Sequence, residues 1–127
     1  MNTALWIVAG VLALAFLAGG TIKLLLPKRK LAASPGGGWT EDFSAGAIKA
    51  IGALEVLAAV GLILPAALDV APVLVPLAAA GVALLMVGAM ITHLRRHETK
   101  VIAVNLTYLA LAGFVAWARF GPHSFTG

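Results

Sequence analysis

The run GALEVLAAVGLILP at positions 52–65 carries one carboxylate, Glu55, among apolar neighbours. An acidic or basic side chain at the centre of a membrane-spanning helix costs roughly 2.5–3.5 kcal/mol on an insertion scale, so something must offset it. Glu55 is tolerable as the neutral acid, or as a carboxylate paired with a cation and hydrogen-bonded. Lys23, Asn105, Tyr108 and His93 stand in similarly apolar surroundings. Lys23 offers a charge on a long stem, and Asn105 and Tyr108 offer neutral donors. Such a set could hold a polar headgroup or handle a proton. Glu55 would accept or shuttle the proton, Lys23 would set its charge state, and Asn105 or Tyr108 would donate to a carbonyl oxygen.

The elements that must position these residues follow from composition. Of 127 residues, 61% are hydrophobic and 11% charged, and the mean hydropathy is +1.02, far from the balance of a soluble domain. In hydrocarbon every backbone amide must be satisfied within its own segment or in a closed barrel. The alternating short strands of a barrel are absent, so the fold class expected is an all-α integral membrane four-helix bundle forming one domain. Four runs, 4–26, 47–64, 73–94 and 101–118, are long enough to cross a core ~30 Å thick at 1.5 Å per residue. Pro27 follows the first run, SPGGG at 34–38 breaks the inner loop 27–46, Pro65 closes the second run, and Pro72 and Pro76 suit the opening turns of the third. The first ten residues lack the positive flank of a signal peptide, so the first run is read as a permanent span.

Charge orients the bundle. Lys23, Lys28, Arg29, Lys30, Lys49, Arg95, Arg96 and Lys100 lie in or beside the first and third connections, leaving Arg119 alone on the other side. Excess Lys and Arg mark the cytoplasmic face, so both termini are expected on the outer side. Trp6 and Trp117 then fall near the outer ends of their spans, as in aromatic belts. The net charge of +4 sits beside apolar spans and is explained by lipid and topology rather than by nucleic acid. With no cysteine in the chain, thiol relays and Cys-x-x-Cys redox chemistry are excluded. GGTIKLL at 19–25 and GAMITHL at 88–94 end their spans alike, which hints at two parallel-repeat hairpins.

Counting inward from the basic side, Glu55 lies ~12 Å deep, Tyr108 ~11 Å, Asn105 ~7 Å, Lys23 ~5 Å and His93 within a few Å of the surface. All five belong to the cytoplasmic half. Helical spacing puts Glu55 with Gly52 and Ala59, Lys23 with Gly19 and Gly20, and Asn105 with Tyr108 and Ala112. Small residues mark close helix approach in lipid, so these groups are expected to face inward. Two readings stand: a polar cluster that only locks helix register, and a pocket or proton-handling site. Lys23 likewise either pairs inward or snorkels to the headgroups. His93 and His97, at i and i+4, would share a helix face, but no third ligand has matching spacing and no metal site is assigned. In the first connection, Trp39 and Phe43 are expected to dip into the interface and cap the inner mouth of the bundle, leaving Glu41 and Asp42 in water.

FLAGGTIKLLLP (16–27), WTEDFS (39–44), IGALEVLAAVGLILP (51–65), THLRR (92–96) and VNL (104–106), in this order and spacing, resemble the DoxX and DoxX-like membrane proteins. The resemblance covers nearly the whole chain and implies a small four-helix bundle of a prokaryotic, bacterial-type cytoplasmic membrane. Relatives include a membrane subunit of thiosulfate:quinone oxidoreductase, which implies an accessory role in membrane oxidoreduction with a quinone as ligand and no covalent cofactor. The motif positions it carries over are Lys23, Glu55, His93 and Asn105. The partners expected are the bilayer and either a membrane oxidoreductase or further copies of the chain. A small proton or solute transporter and a structural assembly subunit without a ligand remain the alternatives.

Overall fold

The computed structural model describes residues 1–34 and 37–124. The described residues form five α-helices and one 3-10 turn: α1 (Asn2–Leu25), α2 (Lys28–Ala33), the turn Gly38–Asp42, α3 (Ala45–Ala67), α4 (Leu74–Arg95) and α5 (Thr99–Phe120). Helices α1, α3, α4 and α5 are each long and apolar enough to cross a membrane. The protein is an all-α four-helix bundle. α1 pairs most closely with α3 and α4 with α5, α3 packs on α4, and the α1–α5 contact is the smallest of these four.

The inward stripes repeat every three or four residues, as a 3.6-residue helix requires. Leu5, Ala9, Leu12, Phe16 and Gly20 form the buried face of α1, and Ile48, Gly52, Glu55, Ala59 and Leu62 lie on that of α3. Large apolar side chains such as Ile7, Leu14, Leu57 and Leu84 are exposed. That is the surface a helix presents to acyl chains, where no water penalty applies. Leu5, Leu12, Leu62, Val75, Val82 and Val115 are at most 1% exposed. All six lie in the half of the bundle away from the basic connections, so that half is filled.

Helix ends explain how the connections run. α1 ends at Leu25, two residues before Pro27, and the Nζ of Lys49 donates to the backbone carbonyls of Lys23 (3.2 Å), Leu24 (2.6 Å) and Leu26 (3.1 Å). A cation on these last carbonyls also complements the negative end of the helix dipole. The Ser44 hydroxyl caps α3 by accepting from the Ala47 N–H at 3.1 Å, a standard N-cap. Pro65 does not close α3, contrary to expectation: the helix runs on to Ala67 with Pro65 inside it. A proline this close to the C-terminus removes only its own N–H bond, and the Leu68 N–H still reaches the Leu64 carbonyl at 2.9 Å. The basic run after Pro27 folds as α2. Of the SPGGG break, Pro35 and Gly36 lie outside the described residues.

Candidate functional site

α1 and α3 cross at two glycines. A Cβ on Gly20 would come within 2.6 Å of the Gly52 carbonyl oxygen, and one on Gly52 within 2.8 Å of the Lys23 Cβ. Only glycine lets the two backbones approach this closely. One turn beyond this crossing along each helix stand Lys23 and Glu55. The helices are antiparallel and side chains lean toward their own N-termini, so the two reach back toward each other. The Lys23 ammonium donates to both carboxylate oxygens of Glu55, at 3.0 Å each. Lys23 therefore turns inward rather than snorkelling to the headgroups. Gly19 leaves room for the pair, since a Cβ there would lie 3.3 Å from Glu55 Oε2.

A lid of aromatic groups covers the basic end of this pair. The 3-10 turn places the Trp39 ring with its centroid 5.7 Å from Lys23 Nζ, within cation–π range. Trp39 meets Phe43 edge-on at 5.7 Å and the His93 ring at 6.4 Å. Glu41 and Asp42, between them, are exposed. Arg96 ties the segment down through Asp42 Oδ2, at 3.1 Å.

His93 is buried, and its Nδ1 lies 2.8 Å from Glu98 Oε1. α4 ends at Arg95, His97 takes a left-handed φ of 58°, and the Glu98 N–H returns to the His93 carbonyl at 3.0 Å. This Schellman-type ending folds Glu98 back beside His93. It also takes His97 off the helix, so the two histidines do not share a face. Among the described residues no group of three or more His, Cys, Asp or Glu could hold a metal ion.

Asn105 and Tyr108 project from α5. Tyr108 packs edge-on against Phe16 at 5.5 Å. Asn105 is 7% exposed, and its Nδ2 has no acceptor among the described residues. A buried amide donor without a partner costs about 1–3 kcal/mol, so it is rarely retained without a reason.

These residues line one cavity of about 820 Å³ in the basic half of the bundle. Lys23, Glu55, His93, Asn105, Tyr108, Trp39 and Phe43 all contribute to its wall, and Phe16, Leu85, Met86 and Ala89 supply the apolar part. The structure thus brings together all seven of the polar and interfacial residues singled out in the sequence. Sequence reasoning missed the roles of Lys49 and Glu98. Lys49 served only as a topology charge there, although its place one turn into α3, facing the end of α1, was a usable signal. Glu98 lies beyond the helix end, and only the left-handed residue before it turns it inward.

Chemically, the wall offers donors. Both Glu55 oxygens are taken up by Lys23 and the pair is neutral as a unit, while the Asn105 amide is left with hydrogens to give. A mostly apolar chamber with a few convergent donors suits a neutral ligand bearing an acceptor oxygen. No curated protein and no solved structure matches the chain. The sequence model of the DoxX-like family matches residues 7–115. That span includes the glycine crossing, the Lys23–Glu55 pair, the aromatic lid and Asn105, and the chain belongs to the DoxX-like family.

Proposed function

We propose that this protein is a binding subunit for a quinone or a similar neutral amphiphile, accessory to a membrane oxidoreductase in a prokaryotic cytoplasmic membrane. The observation that carries this reading is the unpartnered Asn105 amide, buried in the cavity wall beside a charge-balanced Lys23–Glu55 pair. Asn105 donates to a carbonyl oxygen of the headgroup. Lys23, held by Glu55, presents a remaining N–H to the same chamber, and Tyr108 closes the headgroup site from α5. Glu55 and Lys23 together are the proton-exchanging element, and His93 links the chamber wall to Glu98 at the basic surface. The filled half of the bundle, with Leu5, Leu62 and Val115 fully buried, favours a binding chamber over a path across the membrane.

Trp39 lies in the wall, so quenching of its fluorescence reports occupancy. In nanodiscs, the Trp39 signal, taken as the difference from W39F, is expected to quench saturably with a tail-less benzoquinone. Asn105→Leu should weaken that binding by about tenfold, one hydrogen bond's worth. Quenching that never saturates, or that is identical in the Leu variant, would sink the proposal.

A further inference from the structure

The chamber is not closed on all sides. Leu54 of α3 and Leu84, Gly88 and Ile91 of α4 belong to its wall, yet Leu54 is 52% exposed, Leu84 74% and Ile91 48%. Residues that line a cavity and also face outward mark its mouth, and this mouth lies between two membrane-spanning helices. At the far end the cleft is shut by contact: a Cβ on Gly61 of α3 would come within 2.9 Å of the Ala78 Cβ on α4. From there toward the basic end the helices part. Gly81 and Gly88, both in the cavity wall, have no atom of a neighbouring helix among the described residues within 4 Å of an added Cβ. The basic end itself is roofed by Trp39 and Phe43, held through Asp42 and Arg96.

We infer that the cleft between α3 and α4 is a lateral portal through which the hydrocarbon tail of the bound amphiphile passes into the leaflet on the basic side. The inference rests on the binding reading above and adds the ligand class: a molecule with one polar end and a long apolar chain, drawn from the bilayer rather than from water. The geometry sets the order of parts. The polar groups, Glu55, Lys23 and Asn105, lie deep, while the mouth is edged by leucine, isoleucine and glycine. An extended chain lying between Leu54 and Leu84 covers apolar surface on both sides and meets acyl chains beyond. A water-soluble ligand would instead have to pass the aromatic roof and its ion pair.

The test uses the full chain in nanodiscs and two probes, a tail-less benzoquinone and the same headgroup with a decyl chain. Trp39 quenching gives the affinities, each referred to the probe's concentration in the membrane. In the native protein the decyl probe should bind at least about tenfold tighter, since several methylenes leave disordered lipid for a fitted groove. Gly88→Trp places a large side chain across the mouth from a position with free space around its Cβ. It is expected to cut decyl-probe affinity by about tenfold or more while the tail-less probe changes by less than about twofold. If Gly88→Trp affects neither probe, or both equally, the tail does not use this cleft. If the tail-less probe binds and the decyl chain adds nothing, the portal fails while the headgroup chamber stands. If neither probe binds the native protein, both readings fail.

Discussion

Replacing Lys23 by methionine removes the cation from a carboxylate that has no other hydrogen-bond partner among the described residues. At an effective dielectric of about 20, two unit charges at this separation attract by roughly 5 kcal/mol. Most of that is consumed by taking both ions out of water, so the pair as a whole contributes little. Breaking it is different. Removing one member of a buried pair costs about 3–5 kcal/mol, because the desolvation of the other is no longer compensated. Here the lower end applies, since the Lys23 side chain is 19% exposed and the Glu55 side chain 8%. Lys23→Met should therefore destabilise the bundle by about 3 kcal/mol, roughly a hundredfold in the unfolding equilibrium. The double variant Lys23→Met, Glu55→Leu should return to within about 1 kcal/mol of the native protein, because no ion is then left behind. Unfolding by SDS in mixed micelles, followed by far-ultraviolet circular dichroism, measures both. A double variant as unstable as the single one, or a single variant costing under about 1 kcal/mol, refutes the pairing argument. Tail-less quinone binding is expected to be lost in the restored double variant, which separates stability from function.

At the helix crossing, Gly52→Ala should cost about 1–3 kcal/mol by overpacking against Lys23 Cβ and the Gly20 carbonyl. Gly113→Ala, where nothing lies within 4 Å, should stabilise by about 0.5 kcal/mol in the same unfolding assay. Lys49→Met leaves three carbonyls at the end of α1 without their shared donor. A loss of about 1–2 kcal/mol is expected, together with faster amide exchange in the last turn of α1. Asp42→Asn should change stability by less than about 0.5 kcal/mol, because Asp42 of that ion pair is 51% exposed. Its signature is instead a shift in Trp39 emission as the roof loosens. His97→Gly should stabilise by about 1 kcal/mol, since glycine takes the left-handed conformation without steric cost.

Much of the site could be read from the linear sequence because membrane solvation makes polar groups conspicuous. Glu55 stands out by cost alone, and helical spacing puts it on the same face as Gly52. Other parts were legible only as choices. Lys23 had two destinations of comparable merit, the headgroups and Glu55. The glycine crossing settles it, since Lys23 and Glu55 lean toward each other only when α1 and α3 approach at Gly20 and Gly52. Asn105 stands in the sequence as one neutral donor beside Tyr108, and only its neighbours in the fold leave its Nδ2 without an acceptor among the described residues. His93 was placed near the surface by counting residues, yet the roof of Trp39 and the return of Glu98 bury it. The Trp39 contact comes from a connection whose 3-10 turn and short helix have no strong periodic signal, and the Glu98 contact from the left-handed residue that follows α4.

Hydropathy, the spacing of small residues and the distribution of Lys and Arg therefore determined four helices long and apolar enough to span a membrane, their inward faces and the end of the bundle at which the polar groups gather. These are local properties, set by a chain's own side chains against lipid and water. Tertiary structure decided which polar groups meet, that Asn105 is left with a hydrogen to give, and that α3 and α4 touch at Gly61 and Ala78 but part below them. A pairing or a cleft depends on how two helices cross, and residues far apart in the chain set that crossing together.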